Sequence, residues 1–139
     1  MTASLLSGGL QELRIGSEFA NGHQVRSFVR EVARGASMGQ EAMADLLLAV
    51  TEVFNNAVEH AHQFDAGREV AVRVHHLPHA IQVDVEDQGP GFAPGAATGV
   101  SPVLPTQRGL GLFLARQLVD DVTFERGAGT IVHLTKKLA

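Results

Sequence analysis

Apolar residues recur along this chain with the spacing of three amphipathic helices. Asn21 is a suitable N-cap for the first helix, whose apolar positions continue to Gly35. A longer helix is predicted over residues 40–63 and a third over residues 109–119. The residues predicted to face inward are Val25, Phe28, Val29 and Val32, then Leu46, Val50, Val53, Ala57 and Ala61, and finally Leu110, Phe113, Leu114 and Leu118.

Alternation of apolar and polar residues predicts strands in the remaining segments. The predicted strands cover residues 10–16, 69–77, 80–87, 122–125 and 130–136. The last four pair as two β-hairpins, while residues 89–107 show no periodicity and are predicted to form a mobile loop. The order β-α-α-β-β-loop-α-β-β predicts an α+β fold, a two-layer sandwich with helices on one face of a mixed, mostly antiparallel sheet.

The composition is that of one folded domain spanning residues 1–139. Hydrophobic residues make up 45% of the chain and charged residues 19%, as in ordinary globular proteins. The formal net charge of -4 argues against direct binding to nucleic acid, which usually needs a basic patch. The absence of cysteine excludes disulfides and thiolate metal sites. No apolar stretch is long enough to span a bilayer, and no signal peptide is recognised, so a cytoplasmic protein without a membrane partner is expected.

Three polar residues interrupt the second helix at steps of four. Glu52, Asn56 and His60 therefore lie on one helix face. Asparagine is a poor helix former, and its amide oxygen is a ligand that Mg²⁺ accepts. Glu52, one turn away, has the chemistry of a general base for a hydroxyl or a water molecule. A polar stripe facing solvent explains the same pattern, and the helix alone does not decide between the two.

A carboxylate stands where a predicted strand runs into glycines, in the segment Asp87-Gln88-Gly89-Pro90-Gly91. Such a carboxylate can accept a hydrogen bond from the exocyclic amine of adenine. Gly89 and Gly91 let the backbone approach a flat ring, because no Cβ stands in the way. An ordinary Gly-Pro-Gly turn is the alternative, and it would be favoured if this motif stood alone.

The segment Arg108-Gly109-Leu110-Gly111 opens the third helix. Exposed N–H groups at a helix N-terminus suit a phosphate, and glycine permits its close approach. Arg108 adds positive charge and a planar set of donors for a terminal phosphate. Because glycine-rich junctions between loop and helix are common, this segment is weak alone. Together the three motifs predict an ATP site.

Lysine occurs only at Lys136 and Lys137, near the end of the chain. A P-loop needs a lysine within its glycine-rich loop, and a conventional protein kinase needs one on an early strand. Both nucleotide-binding folds are therefore excluded. An ATP site in this chain must hold phosphate with backbone N–H groups, magnesium and arginine.

The seven histidines show no zinc-site spacing. His75 and His76 are neighbours on a strand and point to opposite faces, whereas His60 and His62 diverge on a helix. Most of the histidines are expected to be surface or core residues. His60 is the one expected to line the nucleotide site.

These motifs resemble the boxes of the GHKL (Bergerat-fold) ATPase superfamily, which includes gyrase and the catalytic domains of histidine kinases. Residues 51–61 resemble the N box, residues 87–92 the G1 box and residues 108–114 the G2 box. The closer resemblance is to the RsbW-type anti-sigma-factor serine kinases, and it covers nearly the whole chain.

The resemblance implies an ATP/ADP site that holds Mg²⁺. The residues that would bind nucleotide are Asn56, His60, Asp87, Gly89, Gly91, Arg108, Gly109, Leu110, Gly111 and Thr130. Within this set Asn56 would hold the metal and Asp87 would read adenine. Glu52 would be the general base, Arg108 would stabilise the transferred group, and residues 92–107 would form an ATP lid.

By the same resemblance the chain is expected to be an ATP-dependent serine-protein kinase and anti-sigma factor of a partner-switching system. Its substrate would be a STAS-domain anti-anti-sigma protein, and in its free state it would hold a sigma factor or a similar regulator. A homodimer is expected, and the arginines of the first helix, Arg26 above all, are expected to contact partners.

Two other functions are compatible with the motifs. The first is an ATP- or ADP-responsive binding module that sequesters a partner without phosphorylating it, although Glu52 beside Asn56 favours chemistry. The second is a detached histidine-kinase catalytic domain, which is disfavoured because the loop between the second and third boxes is short.

Overall fold

The computed structural model describes residues 2–6, 10–89, 107–127 and 129–138. Its strands are β1 (Thr2–Leu6), β2 (Leu10–Gly16), β3 (Glu69–Leu77), β4 (Ala80–Glu86), β5 (Asp121–Arg126) and β6 (Thr130–Lys137). Its α-helices are α1 (Gly22–Ala33), α2 (Gln40–Asn56) and α3 (Gln107–Leu118), with a 3₁₀ turn at Phe19–Asn21 and a π-helical segment at Ala57–Ala61. The loop predicted at residues 89–107 lies outside the described residues except at its two ends.

The described strands form one six-stranded sheet in the order β1-β2-β3-β4-β6-β5. Each of the five neighbouring pairs is antiparallel, as where Val72 lies opposite Val85. Both predicted hairpins are present, since β3 pairs with β4 and β5 pairs with β6, each through a short turn. The predicted α+β fold is confirmed. β1 has no counterpart among the predicted strands, and it pairs with β2 at one edge of the sheet.

One face of the sheet carries the core. The buried apolar residues on this face are Leu13, Ile15, Val70, Val72, Val74, Ile81, Val83, Val85, Val122, Val132 and Leu134. They pack with buried residues of all three helices, among them Val29 of α1, Phe54 of α2 and Ala115 of α3. The helices therefore lie on one side of the sheet. None of the described helices is both long and apolar enough to cross a lipid bilayer.

The opposite face of the sheet is polar. Its side chains include Glu12, Arg73, His75, Gln82, Asp84, Glu86 and His133. Asp84 is buried, with His133 Nδ1 2.6 Å from its Oδ1 and His75 Nε2 2.7 Å from its Oδ2. Burial alone would raise the pKa of Asp84, but the hydrogen bonds it accepts, above all from His133, lower it below its usual value. Among the described residues a hydrogen-bonded charge network covers this face.

The C-terminal end of α2 differs from its predicted extent. The α-helix stops at Asn56, and residues 57–61 form a π-helical turn. Gln63, the predicted last residue, has a positive φ of 50° and lies outside the helix. The predicted inward stripe is confirmed, since its buried members are Leu46, Val50, Val53, Ala57 and Ala61.

α3 turns a different face to the core from the one predicted. Phe113 and Leu114 are 59% and 38% exposed, so their predicted inward orientation is wrong. The buried residues are Leu112, Ala115 and, just beyond the helix, Val119, which recur at helical spacing. The positions of α2 and β5, against which α3 packs, decide which face is covered.

The C-terminal end of α3 contacts a side chain from the neighbouring strand. Lys136 of β6 donates a hydrogen bond from Nζ to the carbonyl oxygen of Leu118 (2.8 Å), a residue that is partly buried as predicted. The same ammonium lies 3.8 Å from Asp45 Oδ2 on α2. Because a cation at a helix C-terminus is favoured by the helix dipole, this contact ties α3 to the far end of β6.

Candidate functional site

Three predicted site residues come together although they are far apart in the sequence. Asn56 at the end of α2, Asp87 after β4 and Thr130 at the start of β6 line one narrow crevice. Its walls are completed by Val53, Ala57, Val85, Leu112 and Val132. The crevice therefore opens between α2, α3 and the end of the sheet at which β4 stops and β6 starts.

Asp87 is held in place by backbone groups. Its Oδ1 accepts hydrogen bonds from the N–H groups of Gly89 (2.9 Å) and Thr130 (3.1 Å), and its own N–H donates to Thr130 O (3.0 Å). The residue is buried, yet its Oδ2 receives no hydrogen bond from the described residues. One oxygen therefore anchors the turn, and the other remains an acceptor for a ligand. A donor such as the exocyclic amine of adenine fits this acceptor.

Two glycines allow the backbone segments around Asp87 to meet. A Cβ on Gly89 would come within 2.6 Å of Ala61 O, so Gly89 makes room for protein backbone, and its place beside an adenine ring stays a prediction. A Cβ on Gly129 would overlap Asp87 Oδ1 and would lie 2.6 Å from Gly89 N. Since Cβ atoms do not approach other atoms so closely, any other residue at either position must displace the turn.

Asn56 and Glu52 lie one turn apart on α2, and both are partly buried. Asn56 lines the crevice, whereas Glu52 does not. Within the described residues, no group of three or more histidine or acidic side chains could hold a metal ion by itself. Mg²⁺ commonly takes one or two protein ligands together with substrate phosphates and water, so a single amide oxygen fits it. The roles of Asn56 as metal ligand and Glu52 as base stay predictions.

His60 lies in the π-helical turn that follows α2. Its Nε2 is buried and has no hydrogen-bond partner among the described residues, since Glu59 Oε2 is 3.8 Å away. Buried polar atoms rarely lack a partner, so a group from beyond the described residues fits here. His60 does not line the crevice itself, and its contact with nucleotide stays a prediction.

His62 has no predicted role, yet it joins three segments of the fold. It is 3% exposed, its Nδ1 lies 2.7 Å from Ser17 Oγ, and its Nε2 accepts a hydrogen bond from the N–H of Gln88 (2.8 Å). Burial lowers the pKa of His62 below its usual value. Its spacing from His60 gives no sign of these contacts, because they depend on segments distant in the sequence.

Gln88 is also anchored by the start of β3. Arg68 Nη1 donates a hydrogen bond to Gln88 O (2.6 Å), and Gln88 Oε1 accepts one from the N–H of Glu69 (3.0 Å). The turn that follows β4 is thus held by the end of the π-helical segment on one side and by β3 on the other.

The glycine-rich motif at residues 108–111 lies in the first turns of α3, which begins at Gln107 rather than at residue 109. Leu112, the next residue, lines the crevice, so the N-terminal part of α3 borders it. N–H groups at a helix N-terminus attract phosphate, which agrees with the predicted role of this motif. Gly91 and residues 92–106 of the predicted lid at 92–107 lie outside the described residues, whereas Gln107 belongs to α3.

Arg26 of α1 reaches the turn of α2 that carries the predicted base. Its Nη1 lies 3.4 Å from Thr51 Oγ1, one residue before Glu52. The guanidinium is therefore beside the N-box segment, and its contact with a partner stays a prediction.

Comparison with known proteins agrees with this geometry. The family described as "Histidine kinase-like ATPase domain" matches residues 16–136. The serine-protein kinase RsbW of Bacillus licheniformis is 31% identical over 122 residues, covering 82% of this chain and 76% of the relative. RsbW of Bacillus subtilis (strain 168) is 30% identical with the same coverage. The solved RsbU and RsbW domains of a Mycobacterium tuberculosis protein superpose with a TM-score of 0.64 at 25% identity, over 91% of this chain and 32% of that one. The chain thus spans about a third of that solved structure.

Proposed function

The chain belongs to the histidine kinase-like ATPase domain family and to its RsbW-type serine-protein kinases, and we propose that it is the kinase and anti-sigma factor of a partner-switching system. The observation that carries the proposal is the crevice that joins Asn56, Asp87 and Thr130 from three separate segments. ATP or ADP would occupy it together with Mg²⁺, and residues 1–139 would act as one domain. The protein phosphorylated would be a STAS-domain anti-anti-sigma protein.

Nucleotide binding would depend first on Asp87. Its Oδ2 would accept a hydrogen bond from the exocyclic amine of adenine, while Oδ1 stays fixed by the N–H groups of Gly89 and Thr130. Arg108 and the backbone N–H groups at the start of α3 would hold the phosphates. Mg²⁺, when bound, neutralises charge on the phosphates, and Asn56 is the residue that would hold it.

Glu52 would be the base in phosphoryl transfer. It would take the proton of the substrate serine as the serine oxygen bonds to the γ-phosphorus. The bond from that phosphorus to the β–γ bridging oxygen breaks, and its electron pair stays with ADP. Arg108 would stabilise the charge on the transferred group. The position of Glu52, one turn before Asn56 on α2, supports this assignment.

The proposed function also includes binding to protein partners. The protein would hold a sigma factor or a similar regulator when it is not engaged with its substrate. Arg26, whose guanidinium lies beside Thr51, would contact a partner, because a planar set of donors suits carboxylates on an acidic surface. We further propose a homodimer located in the cytoplasm, where ATP is available.

The proposal is tested by incubating the protein with Mg²⁺, a STAS-domain protein from the same organism and ATP labelled in its γ-phosphate. We expect label on a serine of the STAS-domain protein, and none when a chelator removes the metal. Binding of ATP and of a partner without any transfer of label would identify the non-catalytic binding module instead.

Replacing Asn56 with alanine is expected to weaken the binding of ATP in the presence of Mg²⁺ by roughly tenfold, because the metal loses a protein ligand. The affinity for ATP in a chelating buffer should stay unchanged. Titration calorimetry in the two buffers measures both values. Asn55→Ala, at the partly exposed neighbouring position, is the matched control. Equal losses in both buffers would contradict a role in holding the metal.

A further inference from the structure

We propose that His62 is a positioning residue that holds the turn at residues 87–89 in place only while its imidazole is neutral, so that acidification weakens nucleotide binding. This inference rests on the proposed nucleotide site. It concerns a residue outside the three motifs.

The hydrogen bonds of His62 fit only one protonation state. The backbone N–H of Gln88 can only donate, so Nε2, 2.8 Å away, must be the unprotonated nitrogen. The proton of the neutral ring then lies on Nδ1 and is donated to Ser17 Oγ (2.7 Å). A second proton, on Nε2, would face the Gln88 N–H donor, and the hydrogen bond would be lost.

The chain takes an unusual path to bring His62 into this position. The N–H of His62 bonds to Ala57 O (2.9 Å), which closes a π-helical turn, and the N–H of Phe64 bonds to Val58 O (2.8 Å). Phe64 has a positive φ of 63°, which is uncommon for a bulky side chain. Such a conformation persists only where the surrounding structure enforces it, and π-helical turns are frequent at functional sites.

Loss of the hydrogen bond between His62 and Gln88 would disturb Asp87, the carboxylate proposed to bind adenine, through the next residue. The residue after Gln88 is Gly89, whose N–H donates to Asp87 Oδ1. Gly89 packs closely on the segment that leads to His62, since a Cβ on Gly89 would come within 2.6 Å of Ala61 O. Movement of Gln88 therefore moves Gly89 and removes one of the two N–H donors that orient Asp87.

Burial of His62 favours its neutral form at physiological pH. Burial is the main cause of its lowered pKa, to which the guanidinium of Arg68 adds, while Asp87 and Asp65 act in the opposite direction. Ser17 contributes no charge. A histidine with a folded-state pKa below its usual value of 6.5 is mostly neutral at pH 7. The contact is therefore intact at neutral pH and is lost as the pH falls through the folded-state value.

The test measures the affinity for ADP by calorimetry between about pH 5 and pH 8, where a histidine titrates. We expect the affinity of the unmodified protein to fall, below the pKa of His62, by up to about tenfold per pH unit, the limit for one linked proton. His62→Gln should bind ADP well at neutral pH, since its amide can accept from Gln88 and donate to Ser17, and it should lose the His62 component of the pH dependence. Titration of the nucleotide phosphate is common to all variants and cancels in the comparison.

His133→Gln is the matched control. His133 lies on the polar sheet face, and bonds to Asp84 and Glu125 raise its pKa against the effect of burial. This variant should keep the pH dependence of the unmodified protein. A purely structural role of His62 would instead lower the affinity of His62→Gln equally at every pH.

A second measurement needs no variant. In the nucleotide-free protein, nitrogen NMR should show Nε2 of His62 unprotonated at pH 7, and the exchange protection of the Gln88 amide should fall as the ring titrates. The proposal would be overturned if the exchange protection of the Gln88 amide stayed constant through the titration. It would also be overturned if His62→Gln kept the full pH dependence of the affinity for ADP. Failure to bind ADP at any pH would instead count against the nucleotide site itself.

Discussion

Replacing Glu52 with glutamine is expected to lower the rate of phosphoryl transfer about a thousandfold, in the range that a general base contributes. The affinity for ADP should change little, because Glu52 does not line the crevice that contains Asp87 and Thr130. Glutamine keeps the size of the side chain and removes only the ability to accept the serine proton. Single-turnover transfer from labelled ATP gives the rate, and calorimetry gives the affinity.

Glu41→Gln is the control for this prediction, since Glu41 is an exposed glutamate in the first turn of the same helix. It should transfer phosphate at the unmodified rate. A Glu52→Gln protein that also keeps its rate would remove Glu52 from the chemistry. If Glu52→Gln loses ADP binding, Glu52 contacts the nucleotide instead.

Replacing Gly129 with alanine is expected to lower nucleotide affinity at least about thirtyfold and to reduce the free energy of unfolding by about 2 kcal/mol, as overpacking does in cores. The added methyl group would overlap Asp87 Oδ1 and crowd Gly89 N. The carboxylate would then be pushed from its position between two N–H donors. Calorimetry with ADP and chemical denaturation measure the two effects.

Gly35→Ala is the matched control, because a Cβ at Gly35 would meet no atom within 4 Å. Its affinity and its stability should stay close to those of the unmodified protein. Unchanged nucleotide binding in Gly129→Ala would show that the position of Asp87 is not needed for recognition.

The segments with strict periodicity are those that the sequence predicts well. Leu13 and Ile15 on β2 alternate with polar residues and are buried, because alternation reports directly which face of a sheet is covered. The same holds for both hairpins and for the apolar stripe of α2. The order of these elements was enough to predict the layers of the fold.

Predictions fail where tertiary contacts decide the outcome. Phe113 and Leu114 are large and apolar, yet the small Ala115 is the fully buried residue of that turn. Hydrophobicity alone does not say on which side of a helix its neighbours lie. The predicted helix ran to residue 63, whereas α2 ends at Asn56 and a π-helical turn follows it to Ala61. The reason is similar, since the path through Gln63 follows from how His62 is held.

The site was predicted as a set of motifs, and the structure adds its geometry. Asn56 lies on α2 as expected, Asp87 directly follows β4, and the two residues share a crevice. No pattern could indicate that Asp87 Oδ1 is occupied by backbone donors while Oδ2 is left open. Gly129, which the sequence assigns only to a turn, is packed as tightly as Gly89.

The placement of the side-chain amines has a practical consequence. Thr130, which lines the crevice, and Lys136, which bonds to the end of α3, are six residues apart on one strand, about 20 Å at the usual rise per residue. Lys137 is the other lysine of the chain. A dye or a coupling resin attached to either lysine would therefore lie far from the crevice, which offers a route to a fluorescent or immobilised form with its pocket open.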